Sequence, residues 1–306
     1  MDVGSISISR GSFGDIRRSF VLVYLKHNRL QLLAAGYMIL SIVLALIGPI
    51  VVPHSPTTPD PRAQLLPPSF RYLFGTDING MCIFSRTVSA FRTDLFISLC
   101  GALLALVVGA PLGVLAGFFD GRKGGYGVLS MVILRIMDII QAFPIFVLGL
   151  LLVAGFGPNP LNLIFLIGIT NLPPNLRLAR SEVLSLREKS FVEAARAAGN
   201  KELRVAFSHV MPNALTPVIA LLSLVMGFGI LLTAGLSFVG AGVRVPTPEW
   251  GSMIAIGASS MITGQWWPAF FPGLVMGLTI FAFSMIGQAI TALLDPLERV
   301  KLGFSR

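Results

Sequence analysis

Long apolar runs separated by short polar stretches dominate the chain, and their lengths set the first expectation. A helix needs about 20 apolar residues to cross a bilayer. Runs of that order predict six spans: Leu32–Val52, ended by Pro53; Leu95–Phe118; one within Tyr126–Ala154, longer than a crossing needs and so interfacial at its start; Leu161–Ala179, interrupted by Pro173-Pro174; Ala214–Gly235; and Phe270–Leu294. The expected fold class is an all-α integral membrane protein with six transmembrane helices. Between the first two spans, the Pro-rich segment 53–92 reads as an irregular loop followed by a short helix. The apolar run Trp250–Ile262 is too short to cross and reads as a re-entrant or interfacial helix.

Composition removes the soluble alternative. Of 306 residues, 54% are hydrophobic and 12% charged, against about 25% charged in a typical soluble domain, and mean hydropathy is +0.81. The net charge of +9 does not point to nucleic acid, because the cations sit in loops and ends rather than in one basic domain. They act as topology signals. All but five of the 23 Lys and Arg residues (Arg62, Arg71, Arg86, Arg92 and Arg244 are the five) fall on one side of a six-span arrangement. The positive-inside rule then puts both termini and the loop 180–212 in the cytoplasm of a cell-membrane protein. All three Trp residues fall in the outer loop before the last span, where interfacial aromatics are expected. Cys82 and Cys100 form no metal spacing, and a disulfide between them is not expected. From the polar, basic first 30 residues no cleavable signal peptide is expected.

Within the spans, Gly101, Ala105, Gly109, Gly113 and Gly117 recur every four residues. Such a small-residue stripe lets a second backbone approach closely. Arg135 and Asp138 share a helix face and read either as a structural pair or as part of a transport route. Pro144, Pro173 and Pro174 free backbone carbonyls near membrane depth, which suits either a plain kink or the wall of a translocation path.

The segment after the fourth span carries the functional argument. Glu193-Ala-Ala-Arg-Ala-Ala198 is a strong helix former, Gly199 is placed to end it in a left-handed cap, and Asn200-Lys-Glu opens a second helical stretch reaching His209. Pro212 then resets the chain for span five. A short alanine face on a helix exposed beneath the bundle suits a groove on another protein.

These residues resemble the cytoplasmic signature of the inner-membrane permease subunits of ABC importers: Glu-Ala-Ala, three residues, Gly, nine residues, and an Ile-x-Leu-Pro-like end. Glu193, Ala194, Ala195 and Gly199 fit, and His209-Val-Met-Pro212 closes the pattern with His in the Ile position. The resemblance narrows to the second, C-type permease of the dipeptide/oligopeptide/nickel group. Its supports are Phe74-Gly-Thr-Asp77, Arg135-Ile-Met-Asp138, His209-Val-Met-Pro-Asn213, Leu236-Ser-Phe-Val-Gly-Ala-Gly242, Glu249-Trp-Gly251, Pro272-Gly273 and Leu294-Asp-Pro296. Departures stand at Asn79-Gly-Met-Cys82, where the family usually has Gly-Arg-Asp, at Leu172 in place of Trp, and at Ile286-Gly-Gln288.

The resemblance implies a type I importer permease that is not itself an enzyme. The N-terminal part (1–92) would hold a cytoplasmic segment, the first helix and the outer loop. A five-helix core (93–294) would carry the coupling loop 180–212, and 295–306 a cytoplasmic tail. Glu193, Ala194, Ala195, Arg196, Gly199 and Pro212 would couple to two nucleotide-binding ATPase subunits. This chain would bind no cofactor, with ATP and Mg on those partners; it has no phosphate-cradling Gly-x-x-x-x-Gly-Lys-[Ser/Thr] loop. A second homologous permease would complete the path, and an extracytoplasmic binding protein would deliver cargo. Peptides are the implied cargo, with oligosaccharides or nickel chelates as alternatives. A secondary transporter would place carboxylates at the midplane. An intramembrane enzyme would need a catalytic set that the scattered His27, His54 and His209 do not supply.

Overall fold

A computed structural model describes residues 28–294 of the chain. The basic residues Arg10, Arg17, Arg18 and Lys26, His27, and the tail with Asp295, Pro296, Arg299, Lys301 and Arg306 lie outside the described residues. The described helices are α1 (Arg29–Val51), α2 (Ile83–Phe118), α3 (Gly125–Ala142), α4 (Ile145–Phe156), α5 (Pro160–Leu186), α6 (Ser190–Ala197), α7 (Glu202–Phe238), α8 (Trp250–Met261) and α9 (Trp267–Leu294), with a single 3-10 turn at Pro61–Ala63. Five of them, α1, α2, α3, α7 and α9, are long and apolar enough to cross a bilayer. The 27 residues of α5 extend about 40 Å, which exceeds the ~30 Å hydrocarbon layer.

Sequence dictates the central pairing. The small-residue stripe of α2 lies directly on α5: a Cβ at Gly101 would meet Ile167, one at Gly109 the Leu172 carbonyl, one at Gly113 the Leu176 carbonyl, and one at Gly117 the Arg180 carbonyl. Both series of numbers rise together, so α2 and α5 run side by side in the same direction. The chain between them, α3 with α4, therefore returns once across the layer. That gives six crossings, as the apolar pattern predicts. The α1 helix packs on α2 and α9 through Gly48 against Val88 and through the Tyr37 hydroxyl, which bonds the Val275 carbonyl and Thr279 Oγ1.

Element boundaries differ from the apolar pattern in four places, each with a physical cause. The second span starts at Ile83 rather than Leu95, absorbing the short helix predicted in the outer loop. Arg86, Ser89 and Asp94 depress the hydropathy there, yet they are buried. The third stretch is two helices, because Pro144 supplies no N–H and holds Phe143 extended at φ −84, ψ 130. The fourth span is not interrupted at Pro173-Pro174; α5 runs through both. Side chains around the prolines engage its carbonyls, with Thr170 Oγ1 on Leu166 O (2.6 Å), Asn171 Nδ2 on Ile167 O (2.8 Å) and Asn175 Nδ2 on Asn171 O (2.8 Å).

The fifth span begins at Glu202, not Ala214. Its first part passes through a π-helical stretch, Val205–Val210, into the α-helix Met211–Phe238. Pro212 thus lies inside a continuing helix, at the start of its α-helical part and directly after the π-helical stretch, and does not reset the chain. The run after Glu249 forms α8, and the Trp250 side chain in it is fully buried within the protein, whereas Trp266 is exposed.

Candidate coupling elbow

The α6 helix and the turn after it hang from the end of the bundle where α2 and α5 finish. Lys189 is extended (φ −81, ψ 150) and starts α6; Glu193 lies in its first turn and Arg196 in its last, the charge order that complements the helix dipole. The helix is amphipathic over two turns. Val192 and Ala195 are buried in a cluster with Val114, Phe118, Phe119, Val183, Val205 and Ala206. Glu193, Ala194, Ala197 and Ala198 face outward and are exposed.

Gly199 stops the helix at φ +81. Its N–H bonds Arg196 O at 2.9 Å, and Asn200 returns both its backbone N–H (3.3 Å) and its Nδ2 (2.9 Å) to Ala195 O. A Cβ at Gly199 would meet nothing within 4 Å. Glycine is therefore required there by the left-handed backbone and not by lack of room.

An ion-pair clamp holds the elbow to the body. Glu202, in the first turn of α7, accepts from Arg122 Nη2 at 3.0 Å and pairs with Arg196 Nε at 3.3 Å. Both guanidinium groups lie over the Phe118 ring, at 5.2 and 5.5 Å. Arg187 Nη1 donates to the Gly117 and Asp120 carbonyls (3.1 Å each), and Arg180 pairs with Asp120 at 3.1 Å. The elbow is thus a short rigid projection, tied to α2, α5 and α7 at once.

The structure brings Glu193, Ala194, Ala195, Arg196 and Gly199 together, with only Ala195 turned inward. Pro212 is exposed but farther along α7. Sequence reasoning missed Arg122, Asp120, Arg187 and Glu202 as the clamp. The opposite charges at both loop ends were the available signal.

Two further polar groupings stand out. In the first, Asp138 of α3 receives Arg177 of α5 at 2.9 Å and Arg135 at 3.7 Å. The Arg135–Asp138 pair read from spacing is present, with a third member from the next span. Of the prolines, Pro144 and Pro174 are exposed and Pro173 is buried.

The second grouping lies at the opposite end and escaped sequence reading. Glu249 caps α8, accepting from the Gly251 and Ser252 N–H groups at 2.7 Å each. Trp250 donates its backbone N–H to Asp94 Oδ2 (3.1 Å) and its indole N–H to Thr87 O (3.1 Å). Arg86 joins two loops through Pro56 O (2.8 Å) and Pro246 O (3.1 Å), with Asp77 3.8 Å away. Burial pushes the Glu249 and Asp77 carboxyls above the usual carboxylate range. Hydrogen bonds at both, and Arg86 beside Asp77, pull the other way.

Comparison with known proteins agrees with this architecture. Residues 86–300 match the family described as binding-protein-dependent transport system inner membrane component, and residues 19–68 match the N-terminal transmembrane domain of oligopeptide transport permease C. The chain is 38% identical to the dipeptide transport system permease protein of Alkalihalophilus pseudofirmus, over 89% of this chain and 87% of that protein. It is 37% identical to the di/tripeptide transport system permease protein of Pseudomonas aeruginosa, over 88% of this chain and 89% of that one. Among solved structures, an inward-facing form of the MetNI methionine ABC transporter shares the fold, with a TM-score of 0.55 at 17% identity, over 69% of this chain and 97% of that chain. A six-span helical body, a short rigid projection at one end and matches along most of the sequence converge: the chain belongs to the binding-protein-dependent transport system inner membrane components and is a membrane-spanning permease subunit of an ABC importer.

Proposed function

We propose that this chain, paired with a second homologous permease, forms the translocation path of a peptide importer driven by two separate ATPase subunits. The elbow carries this reading: an exposed alanine face on α6, ended by a left-handed Gly199 and clamped to three spans, is shaped to enter a partner's groove and pass on its movement. Glu193, Ala194 and Gly199 form the docking side, Ala195 seats the elbow in the body, Arg196 ties it there through Glu202 and Phe118, and Pro212 lies farther along α7, the helix that would carry the movement on. ATP and Mg belong to the partners.

Both termini and the 180–212 loop face the cytoplasm in this reading, supported by the distribution of Lys and Arg. A binding protein delivers cargo from the other side. Segment 1–92 then supplies the cytoplasmic N-terminal stretch, the first helix and the outer loop, 93–294 the permease core with its coupling loop, and 295–306 the cytoplasmic tail. The names of the relatives favour peptides over oligosaccharides or nickel chelates.

Cross-linking tests the docking. A cysteine at Ala197 is expected to cross-link to a cysteine lining the groove of a co-expressed P-loop ATPase subunit. Cross-links formed instead with the extracytoplasmic binding protein would overturn both the docking and the orientation.

A further inference from the structure

The Arg135–Asp138–Arg177 grouping belongs to neither the elbow nor the opposite-end network. It lies about 15 Å along α3 from its start and about 13 Å before the end of α5, at ~1.5 Å per residue, within both helices and on the half of the bundle from which the elbow hangs. It is open: Arg135, Asp138 and Arg177 side chains are 77%, 51% and 50% exposed. Charges turned to hydrocarbon are costly, most of all near the centre, so three exposed charged side chains on one face favour a wet surface over a lipid one.

Neighbouring positions extend the polar stripe. On α3, Gln141 follows Asp138 by one turn and is exposed; on α5, Pro174, Arg177 and Ser181 recur along one exposed side. Prolines 173 and 174 also leave the Ile169 and Thr170 carbonyls without their helical donors. Polar side chains on two adjacent helices, beside unfilled backbone acceptors, are what the wall of a water-filled path presents.

Asp138 neutralises one guanidinium and leaves the other over. Arg135 makes only the 3.7 Å contact, so its fork of donors is available to a planar carboxylate. Asp138 stands on the same wall as an acceptor for an ammonium group. We infer that Arg135, Asp138 and Arg177 form a subsite in the translocation path that takes the free carboxylate of a zwitterionic solute, Arg135 supplying the contact and Arg177 holding Asp138 in place. This rests on the peptide reading above. A single anionic lipid headgroup would need cations alone; the acid between them favours a solute of mixed charge.

The test uses the assembled importer in nanodiscs without nucleotide, with Cys82→Ser and Cys100→Ala as background and Gln141→Cys as reporter. A charged, water-soluble thiol reagent is expected to label the reporter. Dialanine at about ten times its half-protecting concentration is expected to slow labelling about tenfold, while dialanine amide does not, and Arg135→Gln abolishes the protection. No labelling by the charged reagent, equal protection by the amide, or protection by added phosphatidylglycerol and not by dialanine would each overturn the subsite.

A second measurement stands apart from the cysteine background. Uptake of dialanine into proteoliposomes by the otherwise unaltered complex is expected to fall with Arg135→Gln and to recover in large part with Arg135→Lys. Equal loss in both variants counts against the subsite. If the unaltered complex takes up no dialanine at all, the peptide reading fails and the subsite with it. Uptake that is intact but indifferent to Arg135 removes the subsite alone.

Discussion

The backbone N–H of Trp250 donates to Asp94 Oδ2 at 3.1 Å, joining the start of α8 to the interior of α2 across 156 residues of chain. Because Glu249 caps α8 beside it, two buried carboxyl groups meet at one point. Asp94→Ala leaves a buried amide without an acceptor and is expected to cost about 1–3 kcal/mol. Asp94→Asn keeps a carbonyl acceptor for the Trp250 amide and is expected to be much better tolerated. Thermal melting of the purified complex separates them; equal melting temperatures for the two variants would contradict the role assigned to the bond.

Acidity bears on the same region. Glu249 and Asp77 hold their protons above the ordinary values of 4.5 and 3.8, chiefly because burial penalises the anion. The folded state binds these protons more tightly than the unfolded chain does. Their contribution to stability is therefore largest at low pH and is lost as pH rises from the ordinary value through the raised one. The difference in melting temperature between the unaltered protein and Glu249→Gln isolates the Glu249 share. It is expected to shrink or change sign as pH rises through that window, and a difference that grows in favour of the unaltered protein would be inconsistent with it.

At the elbow, Gly199→Val places a β-branched residue at φ +81, at a cost of about 1–2 kcal/mol for the left-handed backbone. No neighbour crowds the site, so the damage is confined to the turn. The expected result is an assembled complex whose ATP-driven uptake is largely lost. Gly240→Val has the same open surroundings and a similar φ of +82 but lies beyond the far end of α7; it serves as the control and is expected to keep uptake.

Glu202→Gln weakens the clamp to Arg122 and Arg196. These side chains are 34–40% exposed, so solvent screening keeps the stability loss to about 1 kcal/mol or less. Uptake is expected to fall more than stability does, because the elbow loses its tie to α2. Unchanged uptake would show that the packing of Val192 and Ala195 suffices.

Packing of α2 on α5 is tested by Gly113→Leu. The new side chain would run into the Leu176 carbonyl and Ala179, neither of which is the tip of a flexible side chain. Overpacking of this kind costs about 1–3 kcal/mol or more, and yield and melting temperature of the complex should both drop. Gly277→Leu on α9 has open space and is expected to be tolerated.

Much of this architecture is legible in the residues. The period of four in Gly101–Gly117 names the face that meets α5, and Gly199 marks the end of α6, because each is a local rule with one cheap solution. The buried polar positions are not legible. Arg86, Asp94 and Glu249 look like loop residues until the Trp250 amide, the Pro56 and Pro246 carbonyls and the α8 amides are found around them, and those partners come from distant segments. Proline misleads in both directions: Pro144 divides a span, whereas Pro173 and Pro174 are carried within α5 and Pro212 within α7, directly after its π-helical stretch.

The unbroken helix from Glu202 to Phe238 has 37 residues, about 55 Å of rod at 1.5 Å per residue, with the clamp at its foot. A lever that long multiplies small rotations. Tilting it by about 5° at the elbow sweeps its far tip by roughly 5 Å, taking that same length, so a modest nudge at one surface becomes a displacement the width of a side chain at the other.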